Sequence, residues 1–148
     1  MTISSDLNQI NSIFIDTAPV IYYIEAHPQF GPLAKEVVNE FQTGSLNAFS
    51  SVITLTEVLP KPIEAKDEKL ARKFSEFLKR GKNFNLMEIT ASIAERAGRL
   101  RGYYPDLRTV DAIQIAAAIE AGADAFLTND IKLKQIKEIK VLVLKDYL

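Results

Sequence analysis

Short apolar, β-branched runs recur along this chain with helix-patterned stretches between them, and no other feature constrains the fold as tightly. Residues 10–15 form the first run, closed by Asp16-Thr17-Ala18-Pro19; residues 47–53, 84–89, 125–128 and 141–144 supply four more. Between them, residues 32–42 place Leu33, Val37, Val38 and Phe41 at helical spacing before Gly44. Further helices are predicted after Thr17, from Thr54 to Leu59, over 66–79, over 90–102 and over 107–121, with Gly122 as the last stop. Pro60 and Pro62 read as punctuation. Strands separated by helices pair in parallel, because a parallel neighbour is reached only through a crossover. Runs that are apolar throughout, rather than alternating, suit strands buried on both faces. The expectation is an α/β protein: a three-layer α/β/α domain with a short-stranded, mainly parallel central sheet. Its strand order is not fixed by the pattern. Residues 1–148 read as a single domain, with the polar segment 1–11 as a flexible N-terminal extension.

Composition narrows the chemistry rather than the fold. There is no cysteine and only one histidine, His27. Disulfides, thiolate nucleophiles, thiolate zinc sites and multi-histidine metal sites are thereby excluded within one chain. Chemistry must rest on carboxylates, hydroxyls, lysine or arginine. No run approaches the ~18 apolar residues of a membrane span, and no signal peptide is visible, so no membrane association and a cytoplasmic location are expected. The net charge of −1 hides an asymmetry: residues 1–60 carry one lysine against six acids, whereas 61–148 carry 17 basic residues against 13 acids. A basic second half is compatible with a polyanionic partner.

Ligand sites of open parallel sheets form beyond the carboxyl ends of the strands. Asp16 stands at such an end, and so does Asp130 in Thr128-Asn129-Asp130. Glu57 lies one turn into the helix after the second strand, and Asp111 in the first turn of the apolar helix opened near Thr109. Four separate elements thus bring acids to one rim. Like charges gathered there raise one another's pKa, and the cluster calls for a cation or shared protons. Oxygen-only ligation selects Mg²⁺ or Mn²⁺ over zinc. Carboxylate-held ions of this kind support phosphodiester hydrolysis without cysteine or histidine.

Each acid also has an ordinary reading. Thr54-Leu55-Thr56-Glu57 spells a capping box. Asp111 suits a helix N-terminus, Asn129-Asp130 a turn, and Asp16 a cap for which Thr17 competes. His27, before Pro28, reads as a loop residue. Arg96, Arg99, Arg101 and Arg108 would lie around the mouth if Asp111 is in the site, placed for contact with phosphate. No G-x-G-x-x-G, P-loop or G-x-S-x-G pattern occurs.

Taken in order, these segments resemble the PIN-domain family, and within it the VapC-type toxins. Phe14-Ile15-Asp16-Thr17-Ala18 is similar to the family's opening acid segment. The stretch from Ser50 to Glu57 is similar to the one ending in the second acid; Asp111-Ala112-Ile113-Gln114-Ile115 resembles the Asp-Ala helix, and Phe126-Leu127-Thr128-Asn129-Asp130 the closing Thr-x-Asp. The resemblance implies a Mg²⁺- or Mn²⁺-dependent endoribonuclease with Asp16, Glu57, Asp111 and Asp130 as catalytic, metal-holding acids. It implies supporting roles for Thr17, Thr128 and Asn129, a homodimer, and a small antitoxin protein as partner. Lys132 stands where many relatives carry a further acid. Two other readings remain: a catalytically degenerate PIN scaffold that binds a protein or RNA partner, and a haloacid-dehalogenase-type phosphotransfer domain. The second requires an acid where this chain has Ala18.

Overall fold

The computed structural model describes residues 2–148. Its chain order is α1 (Ile3–Leu7), β1 (Ser12–Ile15), α2 (Thr17–Ile24), α3 (Gly31–Gln42), β2 (Asn47–Ser51), α4 (Val52–Val58), α5 (Pro60–Glu64), α6 (Glu68–Arg80), β3 (Phe84–Met87), α7 (Ala91–Tyr103), α8 (Thr109–Glu120), β4 (Ala125–Thr128) and β5 (Lys140–Val143). A 3₁₀ turn over Ile131–Gln135 follows β4, and another over Leu144–Tyr147 follows β5. The strands form one sheet in the order β3-β2-β1-β4-β5, and every pairing is parallel. The first strand is therefore central. The chain builds outward to β3 on one side, then crosses back to lay β4 and β5 on the other.

Alternation along the central strands assigns each side chain to a layer. Ile13 and Ile15 of β1 join the core under α1, α2, α3, α4 and α6, while Phe14 points to the opposite face with α7 and α8. In the neighbouring β4, Ala125 and Leu127 share the first face and Phe126 the second. Register places Phe14 beside Phe126, and their rings stack at 5.5 Å between centroids. Both rings are wholly buried. The three-layer α/β/α arrangement follows: two cores, one on each face of a sheet with little polar surface of its own.

Several boundaries differ from the pattern reading, each for a local reason. The segment expected to be a flexible extension is a short helix whose Ile3 and Leu7 are buried in the first core; Met1 lies outside the described residues. Thr2 and Ser5 cap that helix reciprocally, and the Tyr147 hydroxyl donates to Asp6 at 2.5 Å. The second strand stops at Ser51, because the Ser51 hydroxyl accepts from the Ile53 N–H and opens α4 at Val52, two residues before the start expected at Thr54. Pro60 does not merely punctuate: it occupies the first position of α5, where a missing N–H costs nothing. Asp67, not Lys66, precedes α6 and caps it through the Leu70 N–H. Among the described residues no helix is long and apolar enough to cross a membrane.

Candidate active site

Strand β1 ends at Ile15, and its ladder runs one residue further: the Asp16 N–H donates to the Leu127 carbonyl at 2.9 Å. Asp16 is thereby fixed at the carboxyl edge of the sheet, between β2 and β4, where the strand order reverses. Its backbone turns there to start α2, and Asp16 is the N-cap; Thr17 does not cap. Oδ1 accepts from the Thr17 N–H at 2.9 Å and Oδ2 from the Thr128 hydroxyl at 2.9 Å. Relieved of capping, the Thr17 hydroxyl donates to Glu57 at 2.5 Å.

The capping-box reading of Glu57 does not hold. Thr54 lies inside α4, wholly buried, while Glu57 turns back toward α2. Asp111 sits in the first turn of α8 and is buried, held by Arg108 through Nε at 2.9 Å and Nη2 at 3.3 Å. Asp130 caps the turn after β4: its Oδ1 accepts from the Lys132 N–H at 3.0 Å, and its own N–H donates to the Thr128 hydroxyl at 3.2 Å. Asn129 is pinned on both sides, donating to the Tyr22 hydroxyl at 3.1 Å and accepting from the Lys145 N–H at 2.9 Å.

All four acids line a single cavity of about 260 Å³ together with Thr17, Thr128, Asn129 and Arg108. The larger groove beside His27, between α2 and α6, contains none of them. Asp16 touches solvent at the floor of its cavity but has protein on most sides. That burial, with Asp111 and Glu57 adding repulsion, raises its pKa to about 6 despite the opposing hydrogen bonds from Thr17 and Thr128.

The arginines behave differently from one another. Arg108 is at the site. Arg96 is not: it pairs with Glu120 at the far end of α8, nine residues from Asp111. Arg99 pairs with Glu95 on its own helix, and neither Arg99 nor Arg101 lines an acid-bearing cavity. His27 is structural: its Nδ1 accepts from the Gln29 and Phe30 N–H groups, and its ring packs on Tyr22 and Phe30.

Beneath the acids lies a polar layer that sequence reasoning missed. The Gln114 amide donates to the Thr54 hydroxyl at 2.7 Å and accepts from Ser51; Ser50 stands 2.9 Å from Thr54, which stands 3.2 Å from Thr17. Ser50, Ser51, Thr54 and Gln114 are fully buried, and no buried side-chain polar atom among the described residues lacks a partner. This layer ties α8 to α4 and α4 to α2, so the backbones carrying Asp111, Glu57 and Asp16 are mutually braced. The available signal was Gln114 itself, a lone amide among Ile and Ala, three residues past Asp111.

The donor set suits a hard divalent ion in kind: oxygen ligands only, on carboxylates whose charge is costly where they sit. Their arrangement is not a ready-made ligand cage. Among the described residues no three acids converge as a metal-holding group, and protein donors occupy each carboxylate, Arg108 most fully.

No match was found among curated protein sequences. Solved structures with a similar fold include VapBC2 from Rickettsia felis bound to a DNA fragment of its promoter, at TM-score 0.73 and 21% identity over 89% of this chain and 98% of that one. DNA-bound VapBC from Salmonella typhimurium is similar at 0.70 and 16%, over 91% of this chain and 99% of that one. VapC20 from Mycobacterium tuberculosis, described as a sarcin-ricin-loop-cleaving toxin, is similar at 0.68 and 17%, over 86% and 98%. At these identities the likeness is one of fold. The PIN domain family model matches residues 13–139, a span that contains all four acids. With that match covering most of its length, this chain belongs to the PIN domain family.

Proposed function

We propose that this protein is a divalent-metal-dependent endoribonuclease of the VapC type, hydrolysing RNA phosphodiester bonds at Asp16, Glu57, Asp111 and Asp130. The observation that carries the reading is the convergence of four acids from four elements on one cavity at the strand-order reversal, with the central one raised to about 6. Asp16, Asp111 and Glu57 would hold Mg²⁺ or Mn²⁺, with Asp130 at the rim. The ion supplies Lewis-acid polarisation of the phosphodiester and activation of the attacking water. The protein's own part is placement. Thr128 and the Thr17 N–H aim the Asp16 carboxylate, the Thr17 hydroxyl aims Glu57, and the buried Gln114 layer keeps the three helices in register. Above pH 6 Asp16 is mostly ionised and available to a cation.

Structural neighbours that are toxin–antitoxin complexes support a small antitoxin as partner, and the family resemblance supports a homodimer acting in the cytoplasm. One observation favours a second reading, a binding module on the same scaffold: the Arg108 guanidinium holds the Asp111 carboxylate a metal would need. A cleavage assay separates them. Labelled RNA incubated with wild type in Mg²⁺ or Mn²⁺ should be cut, and both EDTA and Asp16→Asn should stop the cutting. An Asp16→Asn protein as active as wild type would defeat the nuclease reading.

A further inference from the structure

Asp111 and Asp130 face two cavities, not one. Beyond them, away from Asp16 and Glu57, lies a second hollow of about 640 Å³ that Arg108, Lys132 and Gln135 also line, with the exposed Asp106 as a third carboxylate at its wall. Four carboxylates repel a polyanion, so a strand reaching them needs fixed positive charge close by. The second hollow holds two such charges. Arg108 spends two of its N–H groups on Asp111 while its side chain remains largely solvent-exposed, so the remaining donors of its fork are open to a ligand. Lys132 is exposed and has no acidic partner within ion-pair distance among the described residues. Its backbone N–H is fixed on Asp130, which anchors the ammonium's stem beside the acids.

We propose that this second hollow is a phosphate-binding subsite for the nucleic-acid backbone, with Arg108 and Lys132 clamping the strand next to the phosphodiester presented to the acids. The inference rests on the nuclease reading for its substrate class, single-stranded RNA. Arg108 is suited to a fork-shaped contact with phosphate oxygens and Lys132 to a point-charge contact. The hollow adjoins the acids through shared walls, so one continuous strand fills both.

The test is binding rather than cleavage. Fluorescence anisotropy of a fluorescein-labelled single-stranded RNA is followed with Asp16→Asn protein in Mg²⁺, at salt concentrations from about 50 to 200 mM. Adding Lys132→Ala should weaken binding about three- to tenfold and flatten the slope of log K against log salt by about 0.7, the loss of one single-strand phosphate contact. Arg108→Ala should do the same. Lys79→Ala, on the outer face of α6, should change neither quantity. Unchanged affinity and slope in Lys132→Ala would overturn the clamp, as would failure of the Asp16→Asn protein to bind RNA at all. The two readings fail separately. A wild type that cuts RNA with no effect of Lys132→Ala on binding loses only the clamp. A protein that binds through Lys132 but never cuts loses only the nuclease.

Discussion

The Thr128 hydroxyl donates to Asp16 Oδ2 at 2.9 Å, joining the carboxyl ends of two adjacent parallel strands by a side-chain bond just above their last backbone bond. Because the same oxygen of Thr128 accepts from the Asp130 N–H, one threonine sets the spacing of two acids. Thr128→Val removes the hydroxyl at nearly constant volume. It should raise the Asp16 pKa above 6 and shift the pH at which cleavage falls to half upward, readable in a pH–rate profile of the variant against wild type.

Asp16 also makes stability depend on pH in a definite direction. Its folded pKa, about 6, lies above the unfolded value of 3.8. The native state therefore takes up the proton first, and metal-free protein gains stability from this group as pH falls from 6 toward 3.8. The gain is of order 3 kcal/mol. Asp16→Asn, whose Oδ1 can still accept from Thr17, should be the more stable protein at pH 8 and lose that advantage near pH 4. Urea unfolding midpoints at the two pH values check the sign.

A divalent ion bound only by the native state should raise thermal stability. At a hundredfold excess over Kd the gain is ~2.7 kcal/mol, a shift of about 5–10 °C for a domain this size. Asp16→Asn and Asp111→Asn should both lose the Mn²⁺-dependent shift. Arg108→Ala should reach half its shift at lower Mn²⁺, because the guanidinium no longer competes for Asp111.

Gln114 braces the site from below, so its loss should be felt twice. Gln114→Ala empties a fully buried volume and strips partners from Ser51 and Thr54. A destabilisation of about 2–4 kcal/mol is expected from denaturant unfolding. Cleavage should fall through kcat at temperatures where the variant is still folded.

The first helix carries its own test. Leu7→Ala, in a segment that reads as a polar tail, should cost about 2–4 kcal/mol because Leu7 is buried in the core. A change under half a kcal/mol in the urea midpoint would mean the helix contributes nothing to the fold.

The layer architecture and the four acids were legible because both depend on short-range pattern. Apolar runs such as 125–128 mark buried strands, and a parallel sheet places the residues just after its strands on one rim. What escaped depends on which element lies beside which. Strand order was invisible, since nothing in residues 12–15 says that β2 and β4 are both their neighbours. The same ignorance put Arg96 at the mouth: its helix lies antiparallel to α8, and the side chain meets Glu120 instead. Leu7 and Ile3 were missed because two apolar residues in a polar segment give no periodicity to detect. Thr54 was misread because Ser51 won the capping role, which sent Thr54 inward.

The central position of β1 has a consequence for synthesis. The strand that carries Asp16 is made first, yet its partner on one side, β4, is made only after more than a hundred further residues. Contacts so distant in sequence form late and slowly. A nascent chain halted before residue 125 holds Asp16, Glu57 and Asp111 but neither Thr128 to aim the first nor Asp130 to complete the rim. Translation thus withholds the gathering of the four acids until β4 and the turn after it exist, so an interrupted product of this sequence carries three of the acids without the threonine that spaces them.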